Sequence, residues 1–72
     1  MPGFLTPSEA HAAIAAGATR LKLFPASAFA PAYLRALREV LPREIAIWAV
    51  GGTAAGNLRD WLEAGAQGVG VG

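Results

Sequence analysis

The run Ile45-Ala46-Ile47-Trp48-Ala49-Val50 carries six apolar side chains in succession and ends at Gly51-Gly52. A strand with one wet face alternates apolar and polar residues. An unbroken apolar run of this length, closed by glycines, marks a strand covered on both faces, as in a parallel sheet. Parallel neighbours cannot be joined by a tight turn; they need crossover connections, usually helices. The flanking sequence has to supply those helices.

It does so three times. Thr6-Pro7-Ser8-Glu9 places an N-cap, a proline at the first helical position and the acidic partner of a capping box. Ala10, Ala13, Ile14 and Gly17 then recur at helical spacing, with Gly17 as the stop. Pro31 opens a second helix running to about Leu41, with Leu34, Leu37 and Leu41 on one stripe, Arg35, Arg38 and Glu39 opposite, and Pro42 closing it. A third helix is expected from Ala54 or Ala55 to Ala64, burying Leu58, Trp61 and Leu62 and wetting Arg59, Asp60 and Glu63. Gly56 in its first turn weakens it by up to about 1 kcal/mol relative to alanine. Residues 18–24 read as a strand ending at Pro25, 26–30 as a loop, and 68–72 as a further strand.

The order is helix-strand-helix-strand-helix-strand, which implies right-handed βαβ units and a parallel sheet. Ala16-Gly17-Ala18 and Ala64-Gly65-Ala66 each join a helix to a strand, an internal repeat that suits a regular βα barrel. Three such strands cannot close a barrel and leave two open edges. Composition agrees. A chain of 72 residues with 54% hydrophobic and 15% charged side chains has more core than so short a chain can hide. The expected architecture is therefore part of a larger, buried α/β protein.

The same numbers exclude several functions. With no cysteine and one histidine, neither a disulfide framework nor a zinc site is expected. A net charge of +1 does not suit phosphate neutralisation on nucleic acid. The apolar stretch 12–16 is ended by Gly17, Thr19, Arg20 and Lys22, far short of the roughly 18 residues that span a membrane. Met1-Pro2-Gly3 lacks the basic start of a signal peptide, and the absence of cysteine fits the cytoplasm.

Lys22 is the only lysine, flanked by Leu21, Leu23 and Phe24 near the carboxyl end of a strand, where parallel α/β proteins carry their chemistry. An amine taken out of water gives up its proton more readily and can add to a keto group. Equally, a lysine stem can lie on apolar surface while its head reaches water. Gly51-Gly52 directly after a buried strand lets backbone N–H groups approach an anion; an ordinary strand-to-helix turn has the same look. Gly68, Gly70 and Gly72 offer close approach to a phosphate or tight strand packing. His11 has no triad or metal partner nearby and reads as a surface residue. Trp48 and Trp61 read as core or interface, and Arg35, Arg38 and Arg59 as solvated faces. No carboxylate falls near a strand's carboxyl end, so no general base is evident.

Residues 17–29 together resemble the Schiff-base strand of the class I 2-keto-3-deoxy-6-phosphogluconate (KDPG) and -phosphogalactonate (KDPGal) aldolases. The resemblance continues through Pro31-Ala32-Tyr33-Leu34, Val40-Leu41-Pro42, Ala49-Val50-Gly51-Gly52, Asn57-Leu58 and Ala64-Gly65-Ala66 to Gly70-Val71-Gly72. Pro2-Gly3 and Thr6 to Ala10 fit as well, so it covers essentially the whole chain. It implies a (β/α)8 TIM-barrel fragment of about strands six to eight with their helices, residues 1–72 being the C-terminal portion of a single aldolase barrel domain truncated at both ends. The family cleaves a 2-keto-3-deoxy-6-phosphosugar acid to pyruvate and glyceraldehyde 3-phosphate, needs no metal or other cofactor, and is usually trimeric. Lys22 then corresponds to the imine-forming lysine. Phe24 and Pro25 shape the pyruvate end, while Gly51, Gly52 and Gly72 serve the phosphate. Val50 stands where the phosphogluconate branch typically has threonine, which favours the phosphogalactonate branch, because a hydroxyl-to-methyl change alters which substrate hydroxyl is satisfied.

The departures from the family pattern are specific. Met1 falls at the end of the fifth strand, so the family's general-base glutamate and a phosphate-binding arginine, on earlier strands, have no counterpart. Thr53-Ala54-Ala55-Gly56 replaces the family's Thr-Pro-Glu helix start, and the chain stops before a phosphate-binding serine. Two other functions remain open: a KDPG or 4-hydroxy-2-oxoglutarate aldolase, and a non-catalytic barrel fragment that oligomerises. The expected partners are a phosphorylated keto sugar acid, pyruvate and further copies of the chain, with no nucleic acid and no membrane.

Overall fold

The computed structural model describes residues 1–53 and 57–71. The expected start of the third helix at Ala54 or Ala55, Gly56, and the expected phosphate-side Gly72 lie outside them. Four parallel strands form one sheet in sequence order: β1 (Gly3–Phe4), β2 (Arg20–Leu23), β3 (Ala46–Thr53) and β4 (Gly68–Val71). The helices α1 (Pro7–Ala15), α2 (Pro31–Val40) and α3 (Leu58–Ala64) alternate with them, and residues 26–28 form one 3-10 turn.

Side chains alternate across each strand, and the alternation divides the molecule. Leu21 and Leu23 of β2, Ile47 and Ala49 of β3, and Phe4 of β1 point to the helices. There they share one core with Ala10 of α1, Leu34 and Leu37 of α2, and Trp61 and Ala64 of α3. The other face carries Arg20, Lys22, Ala46, Trp48, Val50, Gly68 and Gly70, and no described element covers it. The apolar run 45–50 is thus buried on its odd-numbered side only, and Trp48 is 37% exposed.

Local signals explain the elements. The Thr6 side chain accepts the Glu9 N–H at 3.2 Å, and Glu9 Oε1 accepts the Thr6 N–H at 2.9 Å, closing the capping box. Glu9 also accepts the Leu5 N–H at 2.9 Å. Gly17 and Gly65, the middle residues of the internal repeat, both take positive φ, +101° and +117°, where each helix hands over to a strand.

Several expectations are corrected. There are four strands where the sequence pattern shows three. β1 is too short to display a period and contains a glycine, but it is recruited by β2: the Lys22 N–H donates to the Pro2 carbonyl at 2.8 Å, and Phe4 is buried. The strand expected over 18–24 narrows to Arg20–Leu23, and α2 stops one residue early, at Val40. The burial axis of α3 runs through Trp61 and Ala64; Leu58 and Leu62, a turn apart on a neighbouring strip, are 36% and 43% exposed. Arg38 is not on a solvated face. Its guanidinium donates to the Ile45 carbonyl at 2.7 Å, tying α2 to the entry of β3, and partial burial lowers its pKa. His11 is exposed, as a surface histidine should be.

Candidate active site

The carboxyl ends of β2 and β3 bring together most of the residues singled out from the sequence. Lys22 and Trp48 are register partners on adjacent strands, so both stand on the open face at the same level. The row is completed by Gly3, paired with Lys22, and Gly68, paired with Trp48. Val50 lies one step closer to the carboxyl end of β3, opposite Gly70. Lys22 is half-buried, and its Nζ lies 5.4 Å from the centroid of the Phe24 ring, within cation–π range.

Gly51 and Gly52 do not end β3, as expected; they bulge within it. Val50 pairs with Gly70 and Thr53 pairs with Val71, so the two glycines are skipped in the ladder. Both have positive φ, +91° and +76°, which a side chain disfavours sterically. Close approach adds a second reason. A Cβ on Gly51 would stand 2.9 Å from the Phe24 ring and 3.1 Å from the Pro25 Cα, and one on Gly52 would overlap the Ser27 side chain. The bulge therefore runs edge to edge with the segment after β2, where the Phe24–Pro25 peptide is cis. That segment is braced from outside: the Phe29 and Tyr33 rings stack at 4.1 Å, and the Tyr33 hydroxyl donates to the Leu5 carbonyl at 2.7 Å.

Lys22, Phe24, Pro25, Val50, Gly51 and Gly52 are thus assembled at one end of the sheet, while Gly72 lies outside the described residues. A half-buried amine at the same end of the sheet as a glycine bulge can add to a carbonyl. All five carboxylates sit on helices or in the loop before β3, none on a strand. Among the described residues no cluster of three metal-ligating side chains occurs, and no helix is long and apolar enough to cross a membrane.

A sequence model of the KDPG and KHG aldolase family matches residues 1–72. The chain belongs to that family. It is 52% identical over 71 residues to the 2-dehydro-3-deoxy-6-phosphogalactonate aldolase of Escherichia coli (strain K12), covering 99% of the chain and 35% of the relative. A probable enzyme of the same name from Rhizobium meliloti (strain 1021) is 49% identical over 72 residues, covering all of the chain and 34% of the relative. A solved structure of native KDPGal superposes with a TM-score of 0.94 at 52% identity, over 99% of the chain and 34% of that structure. A cube-shaped, porous cage designed by fusing symmetric oligomeric domains contains a match of TM-score 0.93 at 52% identity, over 96% of the chain and 26% of that structure. The chain spans about a third of the length of the curated relatives it matches. This segment of a KDPG and KHG aldolase has the parallel strands and alternating helices of a (β/α)8 barrel.

Sequence reasoning missed two members of the site. Trp48 belongs beside Lys22, a position visible only once the register of β2 against β3 is known. Ser27 packs on Gly52, and no pattern in the sequence links the two.

Proposed function

We propose that the protein carrying residues 1–72 is a class I aldolase of the phosphogalactonate branch, and that these residues are the C-terminal portion of its single barrel domain. The observation that carries this is the convergence of the only lysine with Phe24, Val50 and the Gly51-Gly52 bulge at one end of a parallel sheet. Lys22 Nζ attacks the C2 ketone of a 2-keto-3-deoxy-6-phosphosugar acid, and loss of water leaves a protonated imine. The C3–C4 bond then breaks as the C4 hydroxyl loses its proton. Its electron pair passes into the imine as an enamine, and glyceraldehyde 3-phosphate departs. Protonation at C3 and hydrolysis release pyruvate and restore the amine. With every carboxylate of this segment off the strands, the proton-transferring group comes from another part of the barrel.

Phe24 and Pro25 border the pyruvate end, and Val50 presents methyls where a hydroxyl would favour the gluco epimer. Gly51 and Gly52, with Gly72, receive the phosphate on backbone N–H groups. No cofactor enters this chemistry. The substrate places the reaction in galactonate degradation, and a phosphorylated substrate that cannot leave the cell places it in the cytoplasm. The designed cage built from symmetric oligomeric domains supports a homo-oligomer, for which we propose a trimer.

The test is intact mass after incubation with pyruvate and a mild imine reductant, followed by peptide mapping. One adduct per chain, on Lys22 and absent after denaturation, is expected; Lys22→Met should abolish it. Native protein that gains no adduct, or gains it equally when denatured, overturns imine formation by this segment.

A further inference from the structure

We infer that Trp48 is a positioning residue for Lys22, a wall that holds the reactive amine on the β1 side of its strand and beneath Phe24. This role rests on imine formation at Lys22, as proposed above. Four residues cross the open face in one register row, Gly3, Lys22, Trp48 and Gly68, so the two large side chains are neighbours and a glycine flanks each. Partner strands lie about 4.8 Å apart, so a lysine stem and an indole on them stand flank to flank. Each leans away into the bay that its glycine leaves. A Cβ on Gly68 would collide with Cζ3, Cε3 and Cη2 of the indole, so the six-membered ring lies over Gly68. A Cβ on Gly3 would stand 3.7 Å from Lys22 Cε, so the end of the lysine stem passes over Gly3. From there Nζ reaches its place 5.4 Å from the Phe24 centroid.

The indole therefore does more than fill space. With the β4 side occupied, the rotamers that would swing the amine across the sheet are closed to it, and those that keep it by Phe24 remain. Arg20, one step toward the amino end of β2, is the only other charged residue on this face among the described residues. Confining a nucleophile matters because a displacement of about 1 Å can cost on the order of a hundredfold in rate.

The chain offers a clean readout. Lys22 is the only lysine of residues 1–72, so acylation of a lysine side chain within this stretch reports on it alone. Limiting amounts of an amine-acylating reagent, followed by peptide mapping, give the ratio of Lys22 labelling to that of an added reference amine without any need for turnover. Trp48→Ala should raise that ratio several-fold as the amine gains freedom and water. The same variant should lower the rate of pyruvate adduct formation at saturating pyruvate by about tenfold or more, with little change in the half-saturating concentration. Trp48→Phe, which keeps a flat ring over Gly68, should restore both. The emission of buried Trp61, the only indole left in Trp48→Ala, reports whether that variant is folded. Should it unfold, Trp48→Leu decides in its place, with the same several-fold rise expected. A folded Trp48→Ala or Trp48→Leu with unchanged labelling and adduct rates overturns the role of Trp48 and leaves the imine intact. A wild-type chain without adduct, whose labelling still responds to Trp48, removes the imine and leaves the positioning in place.

Discussion

The two faces of the sheet are built from the same strands and obey different rules. On the helix side, Leu21, Leu23, Ile47 and Ala49 are fully buried and interlock with Leu34, Leu37 and Trp61. Every side chain there is apolar, and its identity follows from packing. On the open side a lysine, an arginine, an indole and three glycines stand together, and the helix-side core does not dictate them. An alternation of one residue thus separates what holds the fold from what the fold presents. A substitution on one face should accordingly affect stability, and one on the other should affect chemistry.

Ile47→Ala tests this with the largest expected effect. Ile47 has no exposed surface and lies at the centre of the core, so truncating it should cost about 2–5 kcal/mol, through lost transfer energy and the cavity left behind. The midpoint of denaturant unfolding reads that cost. For the molecules that remain folded, the rate of pyruvate adduct formation should be unchanged. A fall in that rate per folded molecule would show that the two faces are coupled through the strand.

Gly51→Ala is expected to break the separation. Its φ of +91° and the 2.9 Å approach to the Phe24 ring place it where both demands meet. The strained backbone alone should cost about 1–3 kcal/mol. The new methyl also has to displace Phe24, the ring beside the Lys22 amine, so adduct formation should slow in parallel with the loss of stability. A stability loss with an unaltered adduct rate would mean that Phe24 does not hold the amine.

Legibility in the sequence follows the same division. The helix face could be read in outline, because capping at Thr6, the stripe of α2 and the apolar run of β3 are local patterns with local causes. It failed where length was short. Two residues of β1 have no period, and in the seven residues of α3 the inward axis could not be told from a strip one step away. The open face was legible as residue types and, through resemblance, as a family. It was not legible as geometry. That Trp48 neighbours Lys22, that Ser27 fills the space beside Gly52, and that Gly51-Gly52 bulge within β3 all depend on strand register and on a contact between separate loops. Arg38 shows the limit from the other side, since a helix stripe alone cannot reveal that an outward arginine finds the Ile45 carbonyl.

The smallest effect should come from Glu9, which belongs wholly to the helix layer. Its carboxylate accepts the backbone N–H groups of Leu5 and Thr6, and these bonds favour the charged form, holding its pKa below the ordinary 4.5. A carboxyl whose pKa is depressed by folding binds protons more readily when unfolded. Its stabilising contribution is therefore present above the unfolded pKa and is lost as pH falls through the lower, folded one. Glu9→Gln removes that titration but keeps a side-chain oxygen that can complete the capping box. Near neutral pH the variant should melt within a few degrees of the wild type. Between about pH 5 and pH 3, spanning the usual glutamate range, the wild type should lose more of its melting temperature than the variant does. Parallel melting curves over that range would show that the carboxylate charge contributes nothing to the cap. Because Glu9 sits on the exposed start of α1, the Lys22 labelling ratio should be the same in both proteins. A change there would extend the coupling between the two faces out to the first turn of a helix.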